Sequence, residues 1–207
     1  MSDPTMAQLH DELAGTYDEN TFHATIADAL VDGLAEEPAP GLLLDVAAGT
    51  GHAAFAALRL SPGRVLAVDI SPGMIAQAEA KAATLDPDRR ITWQVGSAVP
   101  MPAEDGSADA VLCASALHFL GATALRDWLR VLRPGGVAAF SLPLAARFSP
   151  SGKFAAFVPA DLPIPDTAEE AAALATGAGF IDVVARRLDT EDERPRSAFV
   201  VHARAPR

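Results

Sequence analysis

The sequence predicts an α/β protein with a seven-stranded, mostly parallel sheet, helices on both faces and an antiparallel last strand. From residue 42 onwards, short apolar runs typical of strands alternate with helical segments. The last two predicted strands are joined by a short loop, whereas a parallel crossover needs a dozen or more residues. They therefore pair in opposite directions if they are neighbours. The 207 residues suit one domain with a small appendage.

The first 35 residues are predicted to be helical. Ile26, Leu30 and Leu34 recur every four residues, as one apolar helix face would. We expect residues 1–35 to form a helical lid on a single compact unit that spans residues 36–207.

The remaining elements follow in order. The predicted strands are Leu42–Val46, Val65–Asp69, Ile91–Val95, Ala110–Cys113, Val137–Ser141, Ile181–Leu188 and Ala198–Arg204. Ser71 is a predicted N-cap with Pro72 in the first helical turn, and Thr167 to Glu170 matches a capping box for the last helix. Residues 143–165, rich in Pro and Phe, are predicted to be an irregular insertion on the substrate side.

Composition narrows the classes of partner. The formal net charge is −11, and Lys and Arg cluster in nothing larger than pairs, whereas nucleic-acid binding requires basic residues to neutralise phosphates. No run of about 18 residues is wholly apolar, and the acidic N-terminus does not resemble a signal peptide. With the single cysteine Cys113, these features predict a cytoplasmic protein without disulfides, nucleic-acid partner or membrane contact. No cluster has metal-ligand spacing, so we expect no metal.

A glycine turn between two acidic strand ends is the strongest functional signal. Asp45 lies near the end of the first strand and is followed by Gly49 and Gly51, and Asp69 ends the second strand. Residues without a bulky side chain let a backbone approach a ligand closely. Adjacent parallel strands that end in carboxylates beside such a turn indicate a nucleoside-binding edge.

The same turn allows a second interpretation. Gly49 to Ala54 also fits G-x-G-x-x-A, the dinucleotide fingerprint. A short-chain dehydrogenase would need Tyr and Lys four residues apart, but the only tyrosine, Tyr17, is followed by Thr21 at that distance. A separate catalytic domain does not fit in 207 residues, so hydride transfer with NAD remains an alternative without catalytic residues.

Five segments, in order, resemble the class I S-adenosylmethionine-dependent methyltransferases, within them the small-molecule branch related to quinone-biosynthesis enzymes. They are Leu43–Gly51, Val68–Met74, Gly96–Pro102 with Ser107–Val111, Ala114–Phe119 and Leu132–Gly136. Ala47 stands where the family motif D-x-G-x-G-x-G has its first glycine. The resemblance implies a Rossmann-like fold, S-adenosylmethionine as cofactor and methyl transfer to O, N or C of a small, apolar acceptor.

The resemblance also implies the cofactor site. Its residues would be Tyr17, Asp45, Ala47, Gly49, Gly51, Asp69, Ile70, Met74, Ser97, Ala98, Cys113 and Ala114. Asp69 suits the ribose, because a carboxylate accepts from both hydroxyls, and Asp45 would lie near the cofactor ammonium. Ser97 stands where the family commonly has an Asp that binds the adenine amino group.

Catalysis by positioning is expected to dominate, because methyl transfer disperses the charge of a cationic sulfur. A base is needed only if the acceptor loses a proton. His118, just after the fourth strand, is the candidate base, with shaping of the cofactor pocket as the alternative role. His10 and His23 are further candidates. The acceptor is expected between the N-terminal helices and residues 143–165, beside Phe22, Phe148, Phe154 and Phe157.

Two other functions keep the same fold, because fold does not fix function. One is a cyclase or isomerase that uses the cofactor without methyl transfer, which the lack of an unmistakable base leaves open. The other is a non-catalytic protein that binds the cofactor. The sequence does not determine the acceptor or the oligomeric state.

Overall fold

The computed structural model describes residues 5–150, 152–190 and 196–207. Its strands are β1 (Leu42–Val46), β2 (Arg64–Asp69), β3 (Ile91–Val95), β4 (Ala108–Cys113), β5 (Leu132–Pro143), β6 (Ile181–Asp189) and β7 (Ser197–Arg204). Its α-helices are α1 (Met6–Leu13), α2 (Phe22–Asp32), α3 (His52–Ala57), α4 (Pro72–Leu85), α5 (Leu117–Leu120), α6 (Ala122–Val131), α7 (Gly152–Ala155) and α8 (Ala168–Ala178). None of the described helices is long and apolar enough to cross a membrane.

The sheet has the strand order β3-β2-β1-β4-β5-β7-β6. The pairs from β3 to β5 are parallel, and β7 is antiparallel to both β5 and β6. This confirms the predicted α/β fold with its antiparallel last strand. Strand β1 lies between β2 and β4, where the chain turns from one half of the sheet to the other. In such sheets the crevice at the carboxyl ends of these strands is the usual ligand site.

Two apolar clusters cover the two faces of the sheet. On one face Trp128 of α6 packs against Phe140 of β5, with ring centroids 5.6 Å apart. On the other, α2 buries Ile26 and Leu30 and packs against α3, β5 and β7. The helix ends at Asp32, before the predicted Leu34. Helix α1 packs instead against α4 and α7. The two N-terminal helices therefore differ, because α2 belongs to the core and α1 lies over α4.

Strand β5 begins earlier than predicted. Leu132 already pairs with Ala108, and pairing resumes between Ala110 and Val137 after a register shift. Gly135 adopts φ 76° between these two pairings. The residues just before the predicted strand start at Val137 therefore form an irregularity within one long strand, since pairing with β4 continues on both sides of it.

The last helix, α8, forms only one of the two hydrogen bonds of the predicted capping box. The Thr167 side chain accepts a hydrogen bond from the Glu170 backbone N–H at 3.1 Å. The Glu170 carboxylate accepts from the backbone N–H of Asp166 at 2.7 Å, not from that of Thr167. The helix ends before Gly179, whose φ of 110° is a left-handed cap that glycine favours.

Candidate functional site

The loop between β1 and α3 has a backbone that small residues permit. Ala47 and Gly49 both adopt φ 54°, a left-handed conformation that costs an L residue about 1 kcal/mol or more. Gly51 also has positive φ, but a Cβ there would lie 2.5 Å from the Trp93 ring. Close packing against Trp93 therefore accounts for the need for glycine at position 51. At Gly49, in contrast, the atom nearest to an added Cβ would be Tyr17 Cε1, 3.8 Å away.

Asp69 joins this loop to the end of β2. Its Oδ2 accepts from the Gly49 N–H and its Oδ1 from the Ser71 N–H, both at 2.8 Å. The side chain is buried, which raises its pKa, while the two backbone hydrogen bonds oppose that shift. Each carboxylate oxygen accepts one of these bonds and has capacity for another. Asp69 is thus held in place by the backbone with acceptor capacity left over.

Asp45 lies beneath the same loop and is 1% exposed. Neither carboxylate oxygen has a hydrogen-bond partner among the described residues. Burial raises the pKa of Asp45 to about 8; the nearby Ala54 N–H opposes the shift, and the charge of Asp69 adds to it. Without a cation nearby, this carboxyl is protonated near neutral pH.

A small cavity of about 80 Å³ opens at the carboxyl ends of β1, β2 and β4. Seven of the predicted cofactor-binding residues line it, namely Tyr17, Ala47, Gly49, Asp69, Ile70, Met74 and Ala114. They come from three neighbouring strand ends and from the turn between α1 and α2. The structure thus brings together most of the residues that the sequence assigned to one ligand.

The other five predicted residues do not line this cavity. Asp45 and Gly51 lie behind the loop. Ser97 is exposed, and its hydroxyl donates to the Val99 carbonyl oxygen at 2.6 Å, while Ala98 packs in the core. Cys113 is fully buried, which raises the pKa of its thiol and leaves it unreactive. Within the described residues, no group of three or more His, Cys, Asp or Glu is arranged to hold a metal.

A large cavity of about 490 Å³ adjoins the small one. The two share His10, Tyr17, Ser115 and Phe119 as a common wall. Of the four phenylalanines expected near an acceptor, three line the large cavity, namely Phe22, Phe148 and Phe154, whereas Phe157 does not. The cavity lies between the N-terminal segment and the chain that follows β5.

Ser115, in the common wall, was not a predicted site residue. Its φ of 61° is rare for a residue with a side chain, and its N–H donates to the Ser141 hydroxyl at 2.8 Å. Its own hydroxyl oxygen is buried and has no partner among the described residues. Nothing in the sequence marks this conformation, because it depends on the partner from β5.

His118 lines the large cavity and is 8% exposed. Its ring packs beside Phe119 and Phe148, with centroids 4.2 and 5.1 Å away. Its Nδ1 has no partner among the described residues, and burial lowers its pKa to about 4, with a contribution from His23. The imidazole is therefore neutral at pH 7, a weak base but a competent hydrogen-bonding group.

The two other candidate histidines also line the large cavity. His23 stacks on Tyr17 with centroids 4.6 Å apart, and burial lowers its pKa to about 4. His10 lies in the common wall, and its Nδ1 is 3.0 Å from the Met6 carbonyl oxygen. Three imidazoles therefore surround one aromatic cavity.

Two aspartates attach the N-terminal segment to the loops around the small cavity. Asp11 of α1 accepts from the Ser71 hydroxyl at 2.5 Å. Asp18, next to Tyr17, accepts from the Thr50 hydroxyl at 2.5 Å and from Lys81 Nζ at 2.7 Å. These contacts hold Tyr17 over the glycine turn.

The chain is similar to known proteins in sequence and in fold. The sequence profile of the methyltransferase domain matches residues 43–136, which contain the β1 loop, Asp69 and His118. Residues 43–136 of this chain are therefore similar to a methyltransferase domain. The ubiquinone/menaquinone biosynthesis C-methyltransferase UbiE of Dinoroseobacter shibae is 35% identical over 118 residues, covering 56% of this chain and 47% of that protein. This chain thus spans about half the length of that relative.

Solved structures of other methyltransferases share the fold. Phosphoethanolamine N-methyltransferase 2 of Haemonchus contortus, in complex with S-adenosylhomocysteine, aligns with a TM-score of 0.72 over 99% of this chain and 61% of that chain, at 17% identity. A possible histamine N-methyltransferase of Thermotoga maritima aligns with a TM-score of 0.68 over 97% of this chain and all of that chain, at 16% identity. At such identities the likeness establishes the fold alone.

The cofactor of this domain family is S-adenosylmethionine, and the residues present fit it. The loop at Gly49 leaves space that a Cβ would occupy at the cavity wall. Asp69 has acceptor capacity left for hydroxyl groups. The buried Asp45 is an unpaired acid that a cation would stabilise. The match to the methyltransferase domain and to a quinone-biosynthesis methyltransferase confirms the resemblance predicted from the five sequence segments.

Proposed function

We propose that this chain transfers a methyl group from S-adenosylmethionine to O, N or C of a small organic acceptor with an apolar body. The observation that carries the proposal is the pair of adjoining cavities with the common wall of His10, Tyr17, Ser115 and Phe119. When bound, the cofactor supplies an electrophilic methyl group. Two ligands that are held next to each other at such a wall react because the protein positions them, without a covalent bond to the protein.

We assign the small cavity to the cofactor. Asp69 would accept hydrogen bonds from the ribose hydroxyls, because its backbone bonds already orient both oxygens. Ile70 and Met74 would cover the adenine, and the backbone from Ala47 to Gly49 would lie along the amino-acid part. Asp45, buried behind this loop, would supply a negative field for the cofactor ammonium. The remaining predicted residues, Gly51, Ser97, Ala98 and Cys113, would act by shaping this site.

We assign the large cavity to the acceptor. His118 would hydrogen-bond to the acceptor as a neutral imidazole, and it would accept a proton only from an acceptor that the reaction makes acidic. Within the predicted lid of residues 1–35, the part before α2 would act as the lid, because Asp11 and Asp18 fasten it over the glycine turn while α2 belongs to the core. Its release would open both cavities together.

A matched pair of buried acids tests the cofactor site. Asp69 and Asp86 are both buried, and each accepts from two backbone N–H groups, those of Arg90 and Ile91 in the case of Asp86. We expect Asp69→Asn to weaken S-adenosylhomocysteine binding by about 30-fold or more, since hydrogen bonds to a charged group contribute about 1.5–3 kcal/mol. Asp86→Asn, far from the cavity, should leave the dissociation constant unchanged. Calorimetry measures the dissociation constants of both variants. If the two substitutions weakened binding equally, the small cavity would no longer be assigned to the cofactor.

Incubation with methyl-labelled S-adenosylmethionine and a panel of small aromatic and aliphatic hydroxyl and amino compounds tests the reaction. We expect label in the acceptor and one S-adenosylhomocysteine released per transfer. Product formation without S-adenosylhomocysteine would favour a cyclase or isomerase that retains the cofactor. Cofactor binding without turnover of any compound would favour a binding protein.

A further inference from the structure

The permanently charged side chains that line the large cavity, among the described residues, are all basic although the protein is acidic. The chain has 27 acidic and 16 basic residues. Yet no Asp or Glu is among the described residues that line this cavity, and its two permanently charged side chains are Arg147 and Arg196. Charge of one sign in a cleft with apolar walls concentrates ligands of the opposite sign.

Sheet register brings the two arginines to the same end of the β5–β7 strand pair. Pro143 of β5 lies opposite Ala198 of β7 in the antiparallel pair. Arg147 follows Pro143 by four residues and Arg196 precedes Ala198 by two, so both leave the sheet at this end. The planar guanidinium group presents paired donors that match a carboxylate or phosphate.

Neutral groups orient the Arg196 side chain. Its Nη1 donates to the Asn20 side-chain oxygen, and its Cζ lies 5.8 Å from the centroid of the Phe22 ring. An amide and a ring hold a guanidinium in place without cancelling its charge. The pKa of His23 is lowered mainly by burial and further by His52 and Arg196, while Asp18 opposes the shift, so the charge of Arg196 reaches a residue that lines the cavity.

Polar groups are also present in or next to the common wall. The Ser115 hydroxyl and His118 Nδ1 are buried and unpartnered among the described residues. Three phenylalanines, Phe22, Phe148 and Phe154, also line the cavity. The cavity thus offers cations, aromatic walls and neutral hydrogen-bonding groups beside the cofactor cavity.

We propose that the acceptor is an aromatic or apolar acid, whose carboxylate or phosphate is bound by Arg147 and Arg196 and whose reacting group lies against Ser115 and His118. This inference rests on the proposed methyl transfer, since it names the class of molecule that the large cavity accepts. The anionic group fixes one end of the acceptor, and the other end is presented to the common wall.

Phenylacetate and phenylacetamide test the charge, because they have the same shape and differ in one anionic group. Each is titrated by calorimetry into the protein saturated with S-adenosylhomocysteine. We expect phenylacetate to bind about tenfold more tightly than the amide. Arg196→Gln and Arg147→Gln should each reduce this preference several-fold and leave the binding of the amide unchanged. Arg196→Lys should retain part of the preference, because it keeps the charge without the planar donors.

Arg126→Gln is the matched control, because it removes the same charge from an exposed residue outside the large cavity. It should keep the full preference for phenylacetate. Equal affinity for the acid and the amide, a preference that survives both arginine substitutions, or failure of both probes to bind would each overturn the proposal. Binding of S-adenosylhomocysteine is measured first in the same samples. If the protein does not bind S-adenosylhomocysteine, the proposed function is overturned. If it binds S-adenosylhomocysteine and the probes behave otherwise than expected, only the proposed class of acceptor is overturned.

Discussion

The two cavities differ in how the chain builds them. The small cavity is made largely of loops that follow adjacent parallel strands, and its key bond joins Asp69 to Gly49, 20 residues apart. The large cavity is made of segments from both ends of the chain, and its Asn20–Arg196 bond joins residues 176 positions apart. The small cavity follows from the order of the strands in the sheet. The large cavity depends on how segments that are distant in the sequence pack together.

The cavities also differ in how well their polar groups are satisfied. Asp69 has a backbone donor on each oxygen, whereas Ser115 and His118 have buried polar atoms without partners among the described residues. A buried polar atom without a partner costs about 1–3 kcal/mol. Asp69 is therefore organised in advance, whereas Asp45 behind the glycine turn, Ser115 in the common wall and His118 in the large cavity have hydrogen-bonding capacity left for a ligand. Four substitutions probe this difference.

The largest expected effect is at the glycine turn. Gly49→Val should weaken S-adenosylhomocysteine binding by about 100-fold or more, because its side chain would occupy the cavity wall and force φ 54° on a branched residue. Gly106 has φ 65° and open space around it, so Gly106→Val carries the same backbone strain away from the site. Both variants should lose about 2 kcal/mol of stability. If both bound the ligand like the wild type, the small cavity would not be the cofactor site.

Asp45 is expected to make stability depend on pH. Its folded pKa is about 8 and its unfolded pKa about 3.9, so the folded state binds more protons between these values. The free energy of unfolding therefore falls as pH rises, by up to roughly 1.4 kcal/mol per unit. Asp45→Asn should remove this slope and be the more stable protein at about pH 8.

Urea unfolding at about pH 6.5 and pH 8 measures the effect in the window where histidines contribute least. Below about pH 6.5 the buried His23 and His118 act in the opposite direction. Their folded pKa values lie below the unfolded value, so the stability they contribute is lost as pH falls towards 4. A slope that persists in Asp45→Asn would assign it to another group.

His118→Phe tests whether buried polar atoms of the large cavity lack hydrogen-bond partners. Replacing an imidazole whose Nδ1 lacks a partner by a ring of similar size should raise the free energy of unfolding by about 1 kcal/mol. That corresponds to a melting temperature about 2–4 °C higher for a chain of this length. His202→Phe is the control, because His202 Nε2 is 2.8 Å from the Leu30 carbonyl oxygen and the same change should destabilise. A destabilised His118→Phe would mean that the imidazole already has its partners.

Much of the fold and half of the site were predictable for the same reason. Strand ends that carry Asp45 and Asp69 around a glycine turn are local patterns, and parallel pairing places them at one edge. Ser115, Arg147 and Arg196 carry no such pattern. Their positions depend on the pairing of β5 with β7 and on the Ser141 hydroxyl, which no short stretch of sequence specifies. The same dependence on packing explains why Phe157 lies outside the cavity predicted for it.

The smallest expected effect separates strain from ligand contact in the small cavity. Ala47 holds φ 54° where the family has glycine, so Ala47→Gly should relieve about 1 kcal/mol of backbone strain. Glycine also gives the unfolded chain more freedom, which offsets this gain by about 0.4–1 kcal/mol, so the melting temperature should change little. Binding of S-adenosylhomocysteine should tighten by about twofold to fivefold, because the bare backbone allows closer approach. Tighter binding at unchanged stability would show that the Ala47 side chain hinders the ligand. A gain in stability without tighter binding would show that Ala47 strains the folded backbone and does not affect the ligand.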